Sequence, residues 1–169
     1  LGPVCLSDCY PNKGVHFDHR TFLYADESGS NCAGGYGTGL GASVPMSDGF
    51  WVAFTAIDER SDADAALVHV GNDETVGEPV WLTDGGGPDT ALNAQRYGGS
   101  DLVVGWVNGG SHNLVRVDAS SGTPRGAPES VPDAALGSAS DFFRFAGGDV
   151  GWATQSGSQI GLARLRVCP

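Results

Sequence analysis

Apolar and polar positions alternate along residues 39–167 in short runs separated by Gly, Asp, Asn and Pro. The clearest is Leu114-Val115-Arg116-Val117-Asp118, which alternates as a half-buried strand does. Three apolar runs line up: Gly49-Phe50-Trp51-Val52-Ala53-Phe54, Asp101-Leu102-Val103-Val104-Gly105-Trp106 and Asp149-Val150-Gly151-Trp152-Ala153-Thr154. Each follows a turn signal: Ser47-Asp48, Gly98-Gly99-Ser100 or Gly147-Gly148. A second line of matches follows, Leu67-Val68-His69-Val70 with Leu114-Val115-Arg116-Val117 and Leu162-Ala163-Arg164-Leu165.

The spacing is regular. Arg96-Tyr97-Gly98-Gly99 matches Arg144-Phe145-Ala146-Gly147-Gly148, with the arginines 48 residues apart. Asp101 to Leu114 and Asp149 to Leu162 are both 13 residues, whereas Gly49 to Leu67 is 18, an insertion of five. A looser match joins Glu78-Pro79-Val80-Trp81-Leu82 to Ala127-Pro128-Glu129-Ser130-Val131. The pattern predicts units of four short antiparallel strands; in the middle unit these are 91–97, 101–107, 113–118 and 127–131. Four-stranded units with a period near 48 residues resemble β-propeller blades, a likeness of architecture covering about 39–167 and lacking the Gly-His and Trp-Asp marks of WD40 repeats.

The expected fold is therefore all-β and propeller-like, with a β-sandwich as the competing architecture. Residues 1–38 form an irregular closing segment with disulfides, and 39–169 form the blades. The count reaches nearly three blades, the last stopping after its third strand, which implies an incomplete ring. Either 1–38 supply a fourth blade or another chain closes it. Within 1–38 the strand candidate is Thr21-Phe22-Leu23-Tyr24-Ala25, and 34–41 reads as too glycine-rich for a strand interior.

Composition narrows the function classes. Gly supplies 27 of 169 residues, which favours many tight turns over long helices. The net charge of −11 disfavours nucleic acid and anionic membranes as partners. No apolar stretch is long enough to span a membrane. Four cysteines, Cys5, Cys9, Cys32 and Cys168, suit disulfides that pin the termini and an oxidising location: secreted, cell-surface or periplasmic. The pairings considered are Cys5–Cys168 with Cys9–Cys32, Cys9–Cys168 with Cys5–Cys32, and Cys5–Cys9 with Cys32–Cys168. The first would follow if a segment near 2–7 lay beside 160–167.

Candidate chemistry is sparse. His16, Asp18 and His19 fall within four residues and suit zinc or copper if a loop converges them, or form a solvated polar loop. The insertion carries Asp58, Glu59, Asp62 and Asp64, oxygen donors of the kind calcium takes, or else an exposed acidic hairpin tip. Trp51, Trp106 and Trp152 lie on equivalent strands and are expected in the core. Trp81, Arg96 and Arg144 are ligand-binding candidates, although an arginine recurring at one register is more often a salt-bridge partner. Gly37-x-Gly39-x-Gly41 is followed by Pro45 rather than a helix, so no dinucleotide site is expected. No Gly-x-Ser-x-Gly elbow is present.

The expectation is a non-catalytic extracellular binding or assembly module, without a required cofactor, that associates with itself, a second chain or a glycan. The alternative is a propeller-fold enzyme acting on glycans, or a metal-dependent oxidoreductase using the His16/His19 region.

Overall fold

The structure, a computed structural model, describes residues 16–17, 20–21, 39–57, 60–137 and 141–167. Among them every regular element is a strand and all pairing is antiparallel. No helix there is long and apolar enough to cross a membrane. Two two-residue strands, β1 (His16–Phe17) and β2 (Arg20–Thr21), pair with each other. The remainder forms three sheets, each wound up and down in chain order.

Sheet 1 comprises β3 (Gly39–Pro45), β4 (Gly49–Ala56), β5 (Asp64–Gly71) and β6 (Val80–Trp81). Sheet 2 comprises β7 (Asp89–Tyr97), β8 (Asp101–Asn108), β9 (Ser111–Asp118) and β10 (Glu129–Ser130). Sheet 3 has three strands, β11 (Phe143–Arg144), β12 (Val150–Ser156) and β13 (Gln159–Leu165). The four strands expected between 91 and 131 are all present, in the order β10-β9-β8-β7. Gly109-Gly110, both with positive φ, make the β8–β9 turn. The corresponding β4–β5 connection runs from 57 to 63, which locates the five extra residues.

Register explains the alignment of the sheets. Ala53 pairs with Leu67, Gly105 with Leu114 and Ala153 with Leu162. In each sheet that pair projects to the same face, because side chains alternate along a strand. In sheet 1 this face carries Trp51, Ala53, Ala65 and Leu67 and packs on Leu102, Val104, Trp106 and Val117 of sheet 2. The opposite face of sheet 2 carries Tyr97, Val103 and Leu114 and packs on Val150 and Trp152 of sheet 3, with Leu136 and Phe142 between them. Two cores therefore join three sheets in sequence order. A third cluster, Val52, Phe54, Ala66, Val68 and Val70, is buried on the far face of sheet 1.

One expectation is corrected. The run Gly39-Leu40-Gly41 lies inside β3, not outside the strands. β3 tolerates its glycines because a bulge between Leu40 and Ser43 brings Gly41 against Leu92 of β7, leaving no space for a side chain. The three tryptophans are core residues, as expected, but they do not occupy equivalent positions. Trp51 faces sheet 2, whereas Trp106 and Trp152 face back toward the preceding sheet. Their indole N–H groups are used across the sheets: Trp51 Nε1 donates to Ala119 O at 2.8 Å and Trp152 Nε1 to Ala134 O at 3.2 Å.

Candidate functional site

The ionisable side chains gather at two kinds of place. The first is an aspartate at the start of the second strand, met by an arginine from the third. Arg116 Nε donates to Asp101 Oδ2 at 3.1 Å, and its guanidinium lies over the Tyr97 ring at 5.5 Å. Arg164 Nε donates to Asp149 Oδ2 at 2.8 Å and lies over Phe145 at 4.3 Å. Both aspartates are buried, so the arginine supplies the charge and the hydrogen bonds that burial would otherwise leave unmet. Sheet 1 departs from this scheme: Gly49 stands where the aspartate would be, and His69 Nε2 lies 3.6 Å from Asp48 Oδ1.

These contacts set the charge states. Burial pushes the Asp101 carboxyl up, but the Arg116 hydrogen bond and charge, with Arg125 and Ser100, outweigh it and hold it below the usual range. Asp149 is lowered by the Val167 N–H first, against burial, and then by Arg164 and Arg166. Asp118, the last residue of β9, is lowered to about 2 by the Ser120 hydroxyl, then the Ser120 and Ser121 N–H groups and Arg125.

The second place is the seam between sheets 1 and 2. Asp64 is fully buried and accepts from Arg60 Nη1 at 3.0 Å and from Gly85 N at 2.9 Å. Asp62 Oδ2 accepts from Ser61 Oγ at 3.0 Å and Gly87 N at 3.2 Å. Asp89 accepts from Ala65 N at 3.0 Å, from the Thr83 hydroxyl, and from Asn108 Nδ2 at 2.9 Å. The insertion thus folds back on the glycine turn 85–87 and anchors it. For Asp64, the exposed acidic tip is corrected: its carboxylate is interior, because Arg60 and a backbone N–H replace the water it gave up. Asp58 and Glu59 lie outside the described residues. Among the described residues no group of three or more His, Cys, Asp or Glu is placed to hold a metal ion.

The other candidates are dispersed. The backbone of His16 pairs with Thr21, while Asp18, His19 and all four cysteines lie outside the described residues. Trp81 is half-buried, covered on one face by Arg60 at 4.1 Å and met edge-on by Phe54 at 6.1 Å. Arg144 Nη2 donates to Gly98 O at 2.8 Å, tying sheet 3 to the β7–β8 turn. Arg96 lies half-buried on β7, about 48 residues before it in the chain, with its N–H held by Gln95 Oε1 at 2.9 Å. The three candidates fall on different sheets: Trp81 on sheet 1, Arg96 on sheet 2 and Arg144 on sheet 3.

Among the described residues, two of the hollows lie between sheets. One of about 200 Å³ is lined by Val103, Leu114, Arg116, Arg125, Val131 and Leu165. Both arginines at its mouth are already paired, Arg116 to Asp101 and Arg125 to Asp118 and Asp101. The other, wider hollow of about 390 Å³ is lined by Leu82, Asp84, Gly85, Trp106, Asn108 and Asn113. Asn108 Nδ2 is spent on Gly87 O at 2.8 Å and on Asp89, and Asp84 on Arg60 at 2.9 Å.

The feature that sequence reasoning missed is on the outer face of sheet 3. Leu162 is 61% exposed and Ile160 84%, and Phe143 of β11 lies on the same face as their partners. The corresponding leucines are 0% exposed in sheet 1 (Leu67) and 6% in sheet 2 (Leu114). Leu162 aligns in the sequence with Leu67 and Leu114, each of which is covered by the sheet that follows it.

No family model and no curated protein sequence matches this chain.

Proposed function

We propose that the chain is a non-catalytic binding and assembly module whose three sheets are consecutive blades of a propeller-type stack. One observation carries this reading. The face that receives the next sheet in sheets 1 and 2 is bare in sheet 3, where Leu162 and Ile160 stand in solvent. An apolar sheet face rimmed by polar turns is the mark of an interaction surface. The arginine–aspartate pairs support the same reading, because they spend the charged side chains on holding each hairpin rather than on a ligand. The even cysteine count supports work in an oxidising compartment, secreted or at a cell surface.

A neutral apolar dye such as Nile red tests the reading at high dilution. Fluorescence should rise with the native chain and fall back with Leu162→Asp. No rise with the native chain would overturn it.

A further inference from the structure

We infer that the partner for the bare face of sheet 3 is a second copy of this chain, docked sheet 3 to sheet 3 about a two-fold axis. The inference rests on the binding and assembly reading above and names its partner.

Continuity with the existing interfaces gives the kind of partner. Within the chain, this face is covered each time by another β-sheet presenting branched and aromatic side chains. A second copy offers one such bare face, its own sheet 3. The far face of its sheet 1 is not open to docking, since Val52, Phe54, Val68 and Val70 are already buried. Like faces meeting about a two-fold axis form an isologous contact, which closes at two subunits.

Charge selects the same orientation. Residues 39–88 carry nine carboxylates and one arginine, residues 89–137 carry five and three, and residues 141–167 carry two and three. These residues are strongly acidic at the sheet 1 end and close to neutral at the sheet 3 end. Two copies, each of net charge −11, repel least when their sheet 3 ends meet and their sheet 1 ends point apart. Arg164 does not oppose this, because Asp149 on the same chain neutralises it at 2.7 Å.

Size sets the strength. Two seven-residue strands and the two-residue β11, about 4.8 Å apart at about 3.3 Å per residue, make a face of roughly 250 Å². A stable interface takes about 800 Å² from each partner. The dimer is therefore reversible and dissociates on dilution. Added salt strengthens it by screening the repulsion between the two acidic bodies.

Sedimentation velocity from low to several hundred micromolar tests this, with the native chain and the double variant Ile160→Asp/Leu162→Asp. Both residues are exposed, so the variant should keep the native circular dichroism and melting temperature. A second variant, Ile160→Ser/Leu162→Ser, removes apolar surface without adding charge. The expected result is a native monomer–dimer equilibrium that shifts toward dimer in salt, with both variants monomeric throughout. Equal dimerisation of the variants would overturn the inference. So would a native chain that stays monomeric throughout. If that monomer still binds Nile red through Leu162, only the identity of the partner falls. If it binds no dye, the binding reading falls with it.

Discussion

Sheets 1 and 3 carry a leucine at the same place in the same hairpin and bury it to opposite extents. Leu67 pairs with Ala53 and is 0% exposed; Leu162 pairs with Ala153 and is 61% exposed. The strands themselves are alike in length and pairing. What differs is the next sheet: sheet 2 covers Leu67, and among the described residues no sheet covers Leu162. A strand's sequence thus specifies a face that needs covering, while the covering depends on what the rest of the structure supplies.

Truncating the two leucines gives the largest contrast. Leu67→Ala should cost about 2–5 kcal/mol, because the cavity opens in a closed core. Leu162→Ala should change monomer stability by no more than about 0.5 kcal/mol, as for an ordinary surface substitution. Urea unfolding of both variants at low protein concentration measures this. Equal losses would mean that Leu162 is covered in the monomer.

The residue opposite each leucine sharpens the comparison. Gly105 faces Leu114, and a side chain there would run into Leu114, Leu136 and Phe142. Gly105→Val should therefore cost about 1–3 kcal/mol from overpacking, although valine favours strands. The same change at the exposed Ala153→Val should be close to neutral. A tolerated valine at 105 would show that Leu136 and Phe142 yield rather than pack.

The aspartate–arginine pairs extend the contrast to polar groups. Asp101→Asn keeps the shape but removes the charge that Arg116 and Arg125 share, and should cost about 1–3 kcal/mol. Asp149→Asn should cost less, since Asp149 meets one arginine side chain and the Val167 N–H. In sheet 1 there is nothing equivalent to remove, because Gly49 occupies that position. A larger loss at Asp149 than at Asp101 would reverse this ranking.

Much of the fold was legible because its signals are local. Alternation in Leu114–Asp118, the Gly109-Gly110 turn and the 13-residue spacing from Asp101 to Leu114 each act within one hairpin. β3 was misread because Gly41 is chosen by Leu92, a contact about fifty residues away, and Gly39 by Thr55 of the neighbouring strand β4. The different faces of Trp51, Trp106 and Trp152 were missed because alignment by strand ignores parity along the strand. Asp64 was misread because hydrophilic composition suggests exposure, whereas Arg60 and the Gly85 N–H pay for its burial.

Acid provides the smallest and most selective test, because the turn closing sheet 2 holds a carboxylate with no described counterpart in sheet 3. Asp118 has a pKa of about 2 in the folded chain, against an ordinary value of 3.8. A depressed carboxylate contributes stability that is fully present above the unfolded value and is lost as pH falls through the folded one. The window therefore runs from about pH 5 down to about pH 2. Acidification also lowers the net negative charge and so relieves repulsion, which stabilises the fold over part of the same range. The two effects oppose each other in the native chain, so its own pH profile is not diagnostic. The difference between the native chain and Asp118→Asn cancels the common charge effect. Urea midpoints taken from pH 6 to pH 2 should show a native advantage above pH 5 that shrinks steadily and vanishes near pH 2. An advantage that stays constant across this range would mean the Ser120 and Ser121 contacts stabilise the turn without depending on the carboxylate's charge.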